Sequence, residues 1–228
     1  VGASGTEYAL TFHLHKTGKL EKPPAPPSPG KAESIVAMSG SCAPTTGLQI
    51  DRVLQQGFAD IRIDTVKLID PDQQAEEMQR VKQAALEAIE RGQSPMIYSA
   101  KGPDDPAIAQ TKQHLKKLGL EDTSASTVLA ANQGKILKSI LEIAGKKRTV
   151  VCGGDTSGHV ARELGFVALE TLMPVAPGAP LCAAHSEDSR FDGMEISLKG
   201  GQNGNEKYIS SILIGKKALS HFSAYYAS

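Results

Sequence analysis

Short apolar runs alternate along this chain with longer stretches whose apolar residues recur every three or four positions, the pattern of strands followed by helices. Ser34-Ile35-Val36-Ala37-Met38 reads as a buried strand. Leu48, Ile50, Val53 and Leu54 then form the apolar face of a helix that stops at Gly57. Asp60 to Asp64 alternates apolar and charged, as a strand near a sheet edge does. Asp70-Pro71-Asp72 opens a helix carried by Met78, Val81, Ala85, Leu86 and Ile89, with acids where the helix dipole favours them. Pro95 to Ser99 is the next strand. Two helices follow, Ile108 to Leu118 closed by Gly119 and Ser124 to Ala144 closed by Gly145, and then the strand Thr149 to Cys152.

Beyond Cys152 the pattern shortens. Val160, Ala161 and Leu164 predict a helix, Phe166 to Leu169 an extended piece, and Val175 to Ala184 a turn and a strand. Asp192-Gly193 predicts a reversal, Met194 to Leu198 a returning strand, and Tyr208, Ile209, Ile212 and Leu213 a helix beginning near Asn205. The whole predicts an α/β chain: a Rossmann-like three-layer domain with a largely parallel sheet and an antiparallel C-terminal addition. Ahead of it, Thr6 to Leu14 has the composition of a short helix. Lys22 to Gly30 carries five prolines in nine residues and reads as a stiff polyproline-type linker. We therefore divide the chain into residues 1–30, the tail of a preceding domain plus the linker, and residues 31–228, the α/β domain.

Composition narrows the function. Twenty-five basic and 25 acidic residues give a formal net charge of +0, and no basic tract stands out, so nucleic acid and anionic membranes are not expected partners. The triplet Lys146-Lys147-Arg148 sits just past a helix end, where positive charge suits the carbonyls. No apolar run approaches membrane-spanning length, and Val1-Gly2-Ala3-Ser4-Gly5 is not a signal peptide. Cys42, Cys152 and Cys182 are odd in number and widely spaced, which fits reduced thiols and a cytoplasmic location. The six histidines form no metal-ligand spacing beyond His13-x-His15.

Three loops carry candidate chemistry, and each follows a strand. Val150-Val151-Cys152-Gly153-Gly154-Asp155-Thr156-Ser157-Gly158 reads as strand, tight glycine turn and helix. Its glycines admit close approach, Thr156 or Ser157 is placed to cap the helix, and free N–H groups at the helix start suit a phosphate. Ser39-Gly40-Ser41-Cys42 is a small, hydroxyl-rich loop fit for an anion or a ribose. Lys199-Gly200-Gly201-Gln202-Asn203-Gly204 combines backbone access with a positive charge read as mobile. In open α/β sheets ligands bind beyond the carboxyl ends of the strands, which is where all three loops fall. Neither the Gly-x-x-x-x-Gly-Lys-Ser/Thr nor the Gly-x-Gly-x-x-Gly fingerprint occurs.

Gly153 to Gly158, then Pro177-Gly178-Ala179-Pro180-Leu181, then Leu198 to Gly204, in this order and spacing, resemble the C-terminal half of the four-carbon acid sugar kinase family. Met38 to Cys42, Thr46-x-x-Gln49 and Gly2-Ala3-Ser4-Gly5 agree with it. The resemblance implies that residues 31–228 are a nucleotide-binding domain and that the sugar acid belongs to a preceding substrate domain missing from the chain. It implies ATP-dependent phosphorylation of the 4-hydroxyl of a threonate-, erythronate- or oxo-tetronate-like acid. Ser39, Ser41, Gly153, Gly154, Asp155, Thr156, Ser157, Gly200 and Gly201 then fall on nucleotide-contacting positions. Asp155 is assigned to Mg²⁺, and Lys199, with Asp155, to the chemistry of transfer. The chain departs from the family's commoner pattern with Lys-Gly-Gly-Gln-Asn-Gly at 199–204 and with Asp155 in place of Glu. ATP, a small sugar acid, the missing substrate domain and a second copy of the chain are the expected partners. Two competing readings are a non-catalytic nucleotide- or anion-binding module, and an oxidoreductase-like domain, which the absent dinucleotide fingerprint disfavours.

Overall fold

A computed structural model describes residues 3–21, 28–120, 122–145 and 147–216. The opening helix α1, Ala3–Lys16, is longer than the expected Thr6 to Leu14 and keeps Leu10 and Phe12 exposed. The proline tract at Lys22–Pro27 lies outside the described residues. From Ser28 onward the chain is tied down: Ser28 Oγ donates to the Gly215 carbonyl at 2.6 Å, and the Ala32 N–H donates to that of Leu213 at 2.9 Å.

The α/β part begins with β1, Val36–Ser39, and α2, Pro44–Gln55, followed by β2, Ala59–Arg62. Two helices, α3 at Thr65–Ile69 and α4 at Gln74–Glu90, lead to β3 at Pro95–Tyr98. The expectation that Asp70-Pro71-Asp72 opens a helix is corrected here. Asp64 caps the short α3, accepting from the Val66 and Lys67 N–H groups at 3.1 Å each, so Asp70 ends that helix and α4 starts at Gln74. Next come α5, Pro106–Lys117, α6, Asp122–Ala144, β4, Thr149–Cys152, and α7, Gly154–Glu163. The hairpin of β5, Phe166–Ala176, and β6, Ala179–Ser186, turns on Pro177-Gly178, with Gly178 at φ +68, a conformation that costs glycine little. The chain then forms β7, Glu195–Lys199, and α8, Tyr208–Ile214.

These strands make one seven-stranded sheet in the order β2-β3-β1-β4-β7-β6-β5. The first five are parallel neighbours, and β6 and β5 are added antiparallel. The mostly parallel sheet with an antiparallel C-terminal addition is the expected one. Because β1 is covered on both sides, its residues alternate between two cores. Val36 and Met38 join Val81, Ala85, Ile136, Ile140 and Val160 under α4, α6 and α7, whereas Ile35 and Ala37 join Ile50, Val53, Tyr208 and Ile209 under α2 and α8.

Arg148 corrects the reading of its basic triplet. It is 6% exposed, pairs through Nε with Glu195 at 2.5 Å, and donates through Nη1 to the carbonyls of Gly30 and Ile212 at 2.9 Å each. Its partner is therefore the far end of the sheet and the incoming chain, not the end of α6.

Candidate functional site

Strand register brings the three candidate loops together. Ser39 pairs with Cys152 across β1 and β4, and Cys152 pairs with Lys199 across β4 and β7. Each strand thus ends at the same level, and the next residue of each, Gly40, Gly153 and Gly200, starts a loop beside its neighbour. The Gly40 N–H donates to the Cys152 carbonyl at 3.0 Å and the Gly153 N–H to the Lys199 carbonyl at 2.9 Å. The loop after β1 leaves for α2 on one face and that after β4 for α7 on the other, the arrangement that opens a crevice at a topological switch point.

The turn after β4 depends on glycine. Gly153 has φ +117 and caps α7 without a side-chain bond. The expectation that Thr156 or Ser157 caps the helix is corrected: both lie inside its first turn. Thr156 Oγ1 donates to Gln133 Oε1 at 3.0 Å, and Ser157 Oγ is buried with no hydrogen-bond partner. The first intrahelical bond runs from the Ser157 N–H to the Gly153 carbonyl, leaving the N–H groups of Gly154, Asp155 and Thr156 without intrahelical acceptors. Gly154 and Asp155 are exposed, and a Cβ built on Gly154 meets nothing within 4 Å.

The loop after β7 is held from below. Lys199 Nζ donates to the carbonyls of Gly200 at 3.0 Å and Gly201 at 3.4 Å, and Thr46 Oγ1 donates to that of Gly201 at 2.7 Å. Gln49 Nε2 donates to the carbonyls of Asn203 and Asn205 at 3.0 and 2.9 Å. In a trans peptide the N–H points opposite the C=O. Anchoring these four carbonyls inward therefore turns the N–H groups of Gly201, Gln202, Gly204 and Glu206 the other way, as in backbone concavities that bind anions.

Lys199 is not the mobile charge expected of it. It is 1% exposed, its ammonium also donates to Thr46 Oγ1 at 3.0 Å, and burial holds its pKa below the ordinary lysine value. The cause is the alternation of β7, which points Lys199 into the layer of α2 and α8 beside the Tyr208 ring, 5.8 Å away. The neighbouring Cys152 thiol is pushed up to about 11 by burial, so it stays protonated at neutral pH.

In the loop after β1, the buried Ser39 and Ser41 shape the backbone. Ser39 Oγ accepts from the Ser41 N–H at 3.2 Å, and Ser41 Oγ accepts from the Ala43 N–H at 3.1 Å. Gln133 of α6 was missed in the sequence although its signal was there. It stands on the apolar stripe of Ile136, Leu137, Ile140 and Leu141, where a polar residue has to be satisfied internally. Its Nε2 donates to the Ser39 carbonyl at 3.1 Å while its Oε1 receives Thr156, so one buried amide joins the first loop to the second.

Among the described residues no group of three or more His, Cys, Asp or Glu is placed to hold a metal ion, and no helix is long and apolar enough to cross a membrane. Asp155 is a single exposed carboxylate beside the free N–H groups of α7. That fits magnesium, which commonly takes one or two carboxylates and its remaining oxygens from phosphates and water.

A family model described as a nucleotide-binding C-terminal domain matches residues 36–209. A 3-oxo-isoapionate kinase of Paraburkholderia graminis is 37% identical over 216 residues, 95% of this chain and 46% of that protein. A 3-oxo-tetronate kinase of Pseudomonas savastanoi is 30% identical over 212 residues, 93% of this chain and 45% of that protein. The chain thus spans about half the length of the curated relatives it matches. Among solved structures, a Haemophilus influenzae protein superposes with a TM-score of 0.67 at 21% identity, covering 88% of this chain and 44% of that one. A domain of unknown function from Bordetella bronchiseptica, with bound citrate and a domain-swapped dimer, superposes at 0.62 with 17% identity, covering 82% and 42%. These structures share the fold.

Proposed function

The chain belongs to the nucleotide-binding C-terminal domain family, and from that premise we propose that it is the ATP-binding part of a kinase that phosphorylates the 4-hydroxyl of a four-carbon sugar acid. The relatives named as 3-oxo-tetronate kinases support the substrate class. The observation that carries the nucleotide reading is the convergence of two sets of outward N–H groups, at the start of α7 and in the loop after β7, on one sheet edge. Phosphoryl transfer rests mainly on positioning and charge neutralisation, and such groups supply both without reorganising.

In this reading the open Gly154 leaves room for phosphate oxygens to approach the backbone, whereas Gly153, Gly200 and Gly201 shape the loops: Gly153 turns the chain at φ +117, and a Cβ on Gly200 or Gly201 would meet Asn203 Oδ1 at 2.9 Å or Ser41 Oγ at 2.4 Å. The hydroxyls of Ser39, Ser41 and Ser157 lie at the same edge with their own protons uncommitted, whereas Thr156 donates its proton to Gln133 and serves the site by fixing the start of α7. Asp155 is the residue that would hold Mg²⁺, which supplies charge neutralisation when bound. Lys199 acts from beneath, holding the Gly200 and Gly201 carbonyls inward. The acceptor acid and the group that takes its proton belong to the remaining half of the protein. Residues 1–30 are then the junction between the halves and residues 31–228 the nucleotide domain.

The experiment is a thermal melt of the chain with ATP-Mg²⁺, ADP-Mg²⁺ and NAD, beside an ADP-release assay with threonate and erythronate. ATP and ADP raise the melting temperature, NAD does not, and neither acid stimulates ADP release. A larger shift with NAD sinks the kinase reading. Acid-dependent turnover by this chain alone shows instead that the acceptor site lies within it.

A further inference from the structure

Beside the proposed phosphate-facing loops lies a cavity to which the nucleotide reading assigns no part of the ligand. It has a volume of about 230 Å³ and opens between α5, α6 and the ends of β1 and β3. Ile108 and Leu129 face it from α5 and α6, Ala100 and Ala130 add further apolar lining, and Gly40 and Asp155 mark the side nearest the phosphate-facing loops. Its lining carries little formal charge. Among the described residues Lys112 is the one cation in the lining, and the hydroxyls of Thr65 and Thr111 are hydrogen-bonded to each other at 2.6 Å.

We propose that this cavity takes the nucleobase, so that the nucleotide runs along the sheet edge from α5 and α6, past the start of α7, to the loop after β7. The placement rests on the nucleotide reading above and adds to it which end of the ligand goes where. Three observations carry it. The volume is below the roughly 300 Å³ at which pockets begin to enclose a whole drug-sized ligand, so one ring system fits and a complete nucleotide does not. The faces of Ile108, Leu129, Ala100 and Ala130 suit a planar heterocycle, and Ser99 and Ser126 beside them can meet its ring nitrogens and exocyclic groups. Finally, β1 and β7 are separated by two strand spacings, about 10 Å. A ribose and phosphate chain spans that distance, and the exposed backbone of Gly154 and Asp155 lies between.

The test fills the cavity from two sides. Ile108, in the first turn of α5, is half-buried, and Ser126, on α6, is exposed; both line the cavity, and neither belongs to a hydrophobic core. Ile108→Trp and Ser126→Trp are each titrated with ADP-Mg²⁺ and with pyrophosphate-Mg²⁺, and folding is checked by the unliganded melt. We expect ADP affinity to fall about tenfold or more in at least one folded variant while pyrophosphate affinity stays within about twofold of wild type. ADP affinity unchanged in both variants overturns the placement and puts the base elsewhere on the edge. An equal loss of ADP and pyrophosphate also overturns it, because the effect then lies in the phosphate loops. Wild type that binds pyrophosphate but gains nothing from the nucleoside refutes the base site while sparing the anion site. Wild type that binds neither overturns the nucleotide reading, and this placement with it.

Discussion

Gly154→Val separates the structural role of the second loop from its proposed binding role. Gly154 is the first residue of α7, it is exposed, and a Cβ there meets nothing within 4 Å. The added side chain therefore strains no neighbour in the unliganded protein. On the helix scale valine lies at most about 0.7 kcal/mol below alanine and glycine about 1 kcal/mol below it, so the replacement costs nothing in propensity, and removing glycine also restricts the unfolded chain. At about 2–4 °C per kcal/mol for a domain of this size, the unliganded melt should move by less than about 3 °C. Nucleotide binding should respond differently, because the isopropyl group occupies the space through which a phosphate would approach the Gly154 and Asp155 N–H groups.

With ADP-Mg²⁺ at a hundred times the wild-type dissociation constant, linkage stabilises wild type by about 2.7 kcal/mol, a rise of roughly 5–11 °C. A hundredfold loss of affinity leaves about 0.4 kcal/mol at the same concentration, a rise of roughly 1–2 °C. The assay is a pair of melts for each protein, with and without ADP-Mg²⁺. A folded Gly154→Val protein that keeps the full wild-type rise refutes the argument and leaves the glycine with only a conformational role.

Gly40→Ala should behave in the opposite way. Its Cβ would lie 2.1 Å from Thr156 Oγ1 and 2.5 Å from Gln133 Oε1, breaking their hydrogen bond, so we expect a loss of about 2–4 kcal/mol in urea denaturation even without ligand; a change below 0.5 kcal/mol counts against the buried link. Asp155→Asn should weaken ADP binding more in Mg²⁺ than in EDTA, and equal losses in calorimetric titrations in the two buffers would remove the carboxylate from the metal. For Lys199, burial lowers the folded-state pKa beneath the unfolded value, so between those two values the unfolded chain binds more protons and stability rises with pH. Wild type should therefore gain stability relative to Lys199→Met as pH approaches 10.5, and parallel urea midpoints across pH 8–10 would show that the ammonium carries no such linkage.

The larger elements were legible because their burial is periodic. Val36 and Met38 against Ile35 and Ala37, or Ile136 and Ile140 along α6, carry in the sequence the same alternation that divides them between cores. α3 was missed because it has five residues, too few to show a helical period, and its Asp64 cap looked like the end of a strand. Arg148 was misread for a different reason. Its neighbours in sequence made a basic triplet, but its partners, Glu195 and the carbonyls of Gly30 and Ile212, lie at least 47 positions away. A local pattern does not encode that distance.

The site divides along the same line. Where glycine provides access, the residue type states its own purpose, and Gly153 at φ +117 and the open Gly154 are what the loop pattern predicts. Where a polar side chain is involved, the sequence supplies a functional group but not its direction. Lys199, Ser39 and Thr156 all looked like groups waiting for a ligand, yet each is engaged by the protein: Lys199 with two loop carbonyls, Ser39 with the Ser41 N–H, and Thr156 with Gln133. Their engagement is what leaves the main chain free. Four carbonyls drawn inward by Lys199, Thr46 and Gln49 force the intervening N–H groups outward, so the side chains set the geometry and the backbone presents the donors. This has a consequence for substitution. Removing one of the buried anchors should cost nucleotide phosphates more than it costs the nucleoside, because the anchors act on a ligand only through the loop they hold.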